Sequence, residues 1–273
     1  MKKLNHFSEI SELYDTFIID LWGVIHDGNK LNKGAMEVVQ NLSDKKKRVV
    51  FLSNAPRPNK DVVNFLRELN MEERYLENVL TSGEVAMRSL NDYKFGIKFY
   101  HIGPDRDRSL FNGLEKNKSN LENCDFILCT GLFDEQYEDL KSYENLLKTS
   151  LTKKLVCTNP DLIVHRGNQE EYCAGTIAEI FKSLGGEVIY FGKPYREVYD
   201  VILKKGEKNL IVGDNLNTDI KGANNLKLDS LFITSGVHRS EFNEENEIKK
   251  LLNTYKVNTK FFQKQLMWWN DYI

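Results

Sequence analysis

The chain has 273 residues, 41% of them hydrophobic and 29% charged, which suits a folded globular protein and excludes the apolar-poor, charge-rich composition of a disordered one. Lys and Arg total 38 against 40 Asp and Glu, a net charge of -2, so no basic excess exists to neutralise a nucleic-acid backbone. Met1 to His6 begins with positive charge but has no apolar stretch behind it, and no segment is long and apolar enough to span a bilayer, so we expect a cytoplasmic protein with neither nucleic acid nor membrane as partner.

Short apolar runs alternate with helical patterns along the chain. Thr16–Asp20 reads as a strand ending in a carboxylate. The basic run Lys45–Arg48 leads straight into a second strand, Arg48–Ser53, and reads as a solvated turn. A helix over Lys60–Leu69 follows, then strands at Lys98–Ile102 and Asp125–Thr130, a helix at Glu135–Lys148, and a strand at Lys154–Thr158. Gly175–Leu184 is helical, Glu187–Phe191 a strand, Arg196–Lys205 helical, Asn209–Asp214 a strand, Asp219–Asn225 helical and Ser230–Thr234 a strand. This order predicts the α/β class, a Rossmann-like core with a parallel sheet and right-handed crossovers, carrying a separate inserted α/β unit. Cys124, Cys129, Cys157 and Cys173 lack both metal-ligand spacing and disulfide density, so reduced buried thiols are expected.

In parallel sheets ligands bind beyond the carboxyl ends of the strands, and four such ends carry polar groups: Asp20, Ser53-Asn54, Gly192-Lys193-Pro194 and Asp214. Asp219 follows Asp214 in what reads as one loop entering a helix, and a pair of carboxylates suits a hard cation such as magnesium, which keeps several waters and oxygen ligands. Lys193 can neutralise a phosphate and keep a carboxylate ionised. Ser53 and Asn54 supply neutral donors. Together these make a site for attack on phosphorus: a carboxylate nucleophile, a metal, a lysine and donors for the equatorial oxygens.

These residues resemble the haloacid dehalogenase superfamily, type IIA, the branch of nucleotide, para-nitrophenyl phosphate and pyridoxal phosphate phosphatases. Asp20-Leu21-Trp22-Gly23-Val24-Ile25 matches its first motif, Ser53-Asn54 the second, Lys193 the third, and Gly213-Asp214 through Thr218-Asp219 the fourth. Lys33-Gly34-Ala35, Thr81-Ser82-Gly83-Glu84 and Thr158-Asn159-Pro160-Asp161 match features of the branch. The resemblance implies a magnesium-dependent phosphatase acting on a small phosphate monoester (a sugar phosphate, nucleotide or cofactor phosphate) through an aspartyl-phosphate at Asp20. It implies a metal held by Asp20, Asp214 and the backbone carbonyl of Trp22, with Asp219 supporting its water shell. Ser53, Asn54 and Lys193 would bind the phosphate. A core of residues 1–82 and 186–273 would carry a cap of residues 83–185, from which Asn159, Asp161, Gly175 and Thr176 would face the substrate, and the cap is a feature through which family members pair as homodimers.

One position departs from the pattern. The family carries a second Asp two residues after the nucleophile as the proton-transfer group, and here it is Trp22, whose indole cannot shuttle that proton. Proton transfer of this kind is worth about 10²–10⁴-fold, so slow hydrolysis is expected unless His26 or Asp27 substitutes. The alternatives this opens are a weakly catalytic protein that binds a phosphorylated metabolite, and a phosphotransferase. Phe261, Phe262, Trp268, Trp269 and Tyr272 read as a tail docked on the core or a partner subunit, and His238-Arg239 as either a substrate contact or a turn cap.

Overall fold

The computed structural model describes residues 1–136, 139–166 and 169–269. Its strands are β1 (Lys2–Lys3), β2 (Thr16–Asp20), β3 (Arg48–Ser53), β4 (Val79–Thr81), β5 (Phe99–Ile102), β6 (Phe126–Cys129), β7 (Lys154–Cys157), β8 (Ile163–Arg166), β9 (Gln169–Tyr172), β10 (Glu187–Tyr190), β11 (Asn209–Gly213), β12 (Asp229–Ile233) and β13 (Phe261–Gln263). Helices α1 (Lys33–Asp44), α2 (Asn59–Glu68), α3 (Glu73–Leu76), α4 (Ser82–Asn91), α5 (Leu140–Leu147), α6 (Ala174–Ser183), α7 (Arg196–Asp200), α8 (Lys221–Leu226) and α9 (Ile248–Tyr255) connect them. A seven-stranded sheet runs β1-β13-β12-β11-β2-β3-β4 and a four-stranded sheet β10-β7-β6-β5, both parallel, while β8 and β9 form an antiparallel hairpin.

Every residue of β2 and β11 is buried, as a parallel strand covered on both faces requires. The two-residue period sorts their side chains. Phe17, Ile19, Val49, Phe51, Leu210 and Val212 join one apolar cluster, under α1 and α2, whereas Ile18, Val50, Leu52 and Ile211 join another, under α4, α7 and α8. That second cluster also contains Phe99, Phe126, Leu128 and Val156 from the smaller sheet, so one continuous apolar layer ties the two sheets together. The far face of the smaller sheet packs on α5 and α6 through Ile127, Cys129, Leu155 and Cys157. All four cysteines are buried and free.

Two features differ from the sequence reading. β10 was expected at a strand end of the core, yet it pairs with β7 in the smaller sheet, so that sheet's last strand lies beyond the expected boundary at residue 185. Phe261 and Phe262 belong to β13, a strand added beside β12 rather than a docked tail; Trp268 does dock, buried against Phe7, and Tyr272 lies outside the described residues. The basic run is structural, as expected. Lys45 and Lys47 pair with Glu12, and Arg48 donates to the Ile202 carbonyl. Among the described residues no helix is long and apolar enough to cross a membrane.

Candidate active site

The site lies where three neighbouring parallel strands end. β2, β3 and β11 deliver Asp20, Ser53 and, one residue on, Asp214 to the same edge of the sheet, because β2 sits between the other two in register. From Asp214 the chain enters a single π-helical turn, Leu216–Ile220, which carries Asp219 back toward the strand ends; the Asn215 N–H donates to Asp219 Oδ2 at 3.2 Å. Ligand oxygens of Asp20, Asp214 and Asp219 all fall within 4.8 Å of one another, and all three residues are buried.

Lys193 completes the cluster. It is 2% exposed, and its Nζ donates to Asp20 Oδ1 at 2.6 Å and to Asp219 Oδ1 at 2.8 Å. It does not arrive from a strand of the large sheet but from the Gly192-Lys193-Pro194 turn leaving β10, which hands the chain back from the smaller sheet. Asn54 fixes that turn. Its Oδ1 accepts the Lys193 N–H at 2.7 Å and its Nδ2 donates to the Lys193 carbonyl at 3.2 Å. Asn54 thus engages its amide oxygen and one amide hydrogen with the backbone of the lysine. Gly192 permits the close approach: it has φ +113°, and a Cβ there would lie 2.5 Å from Asn54 Oδ1.

Charge is unbalanced in this cluster. Burial pushes the Asp20 carboxyl well up, the neighbouring Asp219 charge adds to it, and Lys193 opposes. Burial and Asp219 raise Asp214 to about 7. Burial alone would lower Lys193, but Asp20 and Asp219 outweigh it and its pKa rises. Asp161 joins them from the smaller unit: its Oδ1 accepts from Asn215 Nδ2 at 3.2 Å, and burial, opposed by Lys193, raises it to about 6. Carboxylates outnumber the lysine, so a divalent cation fits this donor set electrostatically as well as by ligand type. Gly23 leaves the room: with φ +84°, a Cβ there would meet Asp214 Oδ2 at 2.1 Å.

A cavity of about 860 Å³ opens from the cluster between the two sheets. Asp20, Ser53, Asn54, Asn159, Asp161 and Asp214 line it, so the structure brings these predicted residues together. Ser53 Oγ accepts the Ala55 N–H at 3.1 Å and Asn159 Oδ1 the Asp161 N–H at 3.1 Å. Gly175 and Thr176 do not line it. Gly175 packs under the Pro160–Asp161 backbone, where a Cβ would lie 2.4 Å from both carbonyl oxygens, and Thr176 Oγ1 donates to the Leu162 carbonyl. These two build the turn instead of facing a substrate.

The residues weighed as substitutes for the missing acid, His26 and Asp27, both line the cavity, and each also makes a local hydrogen bond. Asp27 Oδ1 accepts the N–H groups of Asn29 and Lys30, which hold its carboxyl below the usual range against the opposing effect of burial. His26 is buried, its Nδ1 accepting the Gly28 N–H and its ring set edge-on between Trp22 and Phe65. Trp22 Nε1 donates to the His165 carbonyl at 2.8 Å. His238 has a role that sequence alone left open. Its Nε2 accepts the Leu216 N–H at 3.0 Å, so Nδ1 carries the proton toward Glu241, and the ring steadies the loop between Asp214 and Asp219.

A family model described as haloacid dehalogenase-like hydrolase matches residues 17–115, and a second, HAD-hydrolase-like, matches residues 190–255. The chain is 25% identical to an acid sugar phosphatase of Staphylococcus haemolyticus over 244 residues, covering 86% of this chain and 90% of the relative. It is 26% identical to the ribonucleotide monophosphatase NagD of Escherichia coli K12 over 227 residues, 81% and 87% of the two chains. Its fold matches a haloacid dehalogenase-like hydrolase from Brucella suis with a TM-score of 0.85 at 27% identity, over 97% of this chain and 100% of the other. It matches a 4-nitrophenylphosphatase from Thermotoga maritima with a TM-score of 0.71 at 27% identity, over 94% and 96%.

Proposed function

We infer that this chain, which belongs to the haloacid dehalogenase-like hydrolases of the type IIA branch and is a phosphatase, hydrolyses small phosphate monoesters through a phosphorylated Asp20 with magnesium bound beside it. The observation that carries the reading is the placement of the Lys193 amine 2.6 Å from Asp20 and 2.8 Å from Asp219, inside a cluster of buried carboxylates. Lys193 occupies Asp20 Oδ1 together with the Leu21 N–H, while Oδ2 makes no hydrogen bond among the described residues. That oxygen forms the bond to phosphorus as the ester P–O bond breaks and the leaving oxygen takes a proton from solvent water; a second water then attacks the acyl phosphate, releasing phosphate and restoring the carboxylate. Asp20, Asp214 and the Trp22 carbonyl would hold the magnesium, with Asp219 beside them. When bound, the ion supplies positive charge against the phosphate oxygens and lowers the pKa values of its neighbouring carboxylates.

Ser53 and Lys193 are the proposed phosphate contacts, and Asn54 acts on the phosphate through Lys193. Sugar phosphates and nucleotides are the proposed substrates, in line with the relatives' names, and the cavity has room for a ligand of that size. Asn159 and Asp161 would face the leaving group from the cap. A cytoplasmic location and a homodimer complete the reading. The experiment is phosphate release from a panel of monoesters with and without magnesium, for the wild type and Asp20→Asn. Loss of turnover in the variant and on chelation is expected; full activity of Asp20→Asn would overturn the assignment.

A further inference from the structure

Trp22 stands where the resemblance places an acid, yet the indole is firmly built into its surroundings. The segment behind it is held by Gly23 N–H to the His26 carbonyl at 2.8 Å and by His26 N–H to the Leu21 carbonyl at 3.0 Å. The indole meets the His26 ring edge-on at 5.1 Å, and His26 meets Phe65 of α2 edge-on at 5.3 Å, so a run of edge-to-face rings, with the buried His26 at its centre, backs the side chain. An indole has one N–H, a donor only, and here it reaches the backbone carbonyl of His165 on β8. A carboxylate at this position could not donate to that carbonyl.

The hairpin it reaches, β8–β9, is a sheet of two strands. β9 is largely exposed, and an isolated two-stranded hairpin is marginal in water. Its base is pinned by the Cys173 N–H and by Thr176 Oγ1, both donating to the Leu162 carbonyl. Its residues Ile163, Val164, His165, Glu171 and Tyr172 line the cavity that Asp20 also lines.

We propose that Trp22 is a positioning residue whose indole N–H latches the β8–β9 hairpin to the core, fixing the cap-side wall of the substrate cavity. The position that would move a proton serves here to hold the cavity's wall in place. Substrate selection then depends on residue 22 through the hairpin, with no contact to the reacting phosphorus required of its side chain. Only the kinetic arm of the test rests on the phosphatase reading above.

The decisive experiment is hydrogen exchange by mass spectrometry on the metal-free protein, comparing wild type with Trp22→Phe, which keeps an aromatic ring and deletes the donor. Amides of β8 and β9 should exchange about two- to tenfold faster in the variant, the population shift expected from losing one hydrogen bond, while β6 stays protected. KM for para-nitrophenyl phosphate should rise by a larger factor than kcat falls. Unchanged exchange in β8–β9, or acceleration spread equally over β6, overturns the latch. Exchange needs no turnover, so the latch and the phosphatase assignment fail separately.

Discussion

Asn54→Ala tests the way the lysine is placed. The substitution removes both hydrogen bonds to the Lys193 backbone and leaves a buried N–H and a buried carbonyl without their partner. Each orphaned group costs about 1–3 kcal/mol, and water from the adjoining cavity relieves part of it, so a loss of roughly 2–3 kcal/mol is expected. For a chain of this size that lowers Tm by about 4–10 °C. The catalytic effect should be larger than the stability effect implies, because the Lys193 amine spans two carboxylates at 2.6 and 2.8 Å, and a displacement on the order of 1 Å costs about 10²-fold. Calorimetry and steady-state kinetics measure both. Asn54→Asp should be no rescue, since it keeps the acceptor for the Lys193 N–H but turns an anionic oxygen on the Lys193 carbonyl. A Tm within a degree of wild type, with kcat intact and KM raised, would show that the amide binds phosphate directly and would refute the clamp.

Gly23→Ala should weaken the response to magnesium, because its Cβ would displace the Asp214 carboxylate and its φ of +84° costs a non-glycine residue about 1–2 kcal/mol; a metal titration of activity at the wild-type midpoint would contradict this. Asp214→Asn should raise Tm without metal, by removing a buried carboxyl whose ionisation is disfavoured, and abolish the further rise that magnesium gives the wild type; a less stable variant that keeps the magnesium shift contradicts the charge argument. His101 is buried, bonded to Thr130 and depressed to about 4 by burial. Its folded pKa lies below the unfolded value near 6.5, so the unfolded chain binds the extra proton between those values and stability falls as pH falls through that window. Relative to His101→Gln the wild type should lose about 3 kcal/mol between pH 7 and 4, and parallel Tm-versus-pH curves would refute it.

The strands β2, β3, β6, β7, β11 and β12 were legible because each is almost wholly buried and so reads as a near-continuous apolar run. β4 has three residues and runs straight into α4, too short for a pattern. β9 is Gln-Glu-Glu-Tyr and mostly exposed, so nothing in its composition marks a strand. β10 was visible as a strand but not as a member of the smaller sheet, because a half-buried run carries no label for its partner. At the site, strand ends located Asp20, Ser53, Asp214 and Asp219, since backbone topology alone carries them there. Side-chain direction was not legible. An amide at position 54 suits a phosphate or a peptide group equally, Trp22 could be read as the loss of an acid but not as a donor to His165, and His238 needed the loop beside it to acquire a role.

Among the described residues β1 pairs with β13 alone, in parallel register from Lys2 to Phe261. β1 therefore has a place in the sheet only once β13 lies beside β12. Until that moment β12 presents an open hydrogen-bonding edge, the kind of template on which chains aggregate. The exposed interval lasts from the formation of β12 until β13 pairs with it. A truncation before Phe261 would make that interval permanent, freeing the amino-terminal strand to proteases at the same stroke.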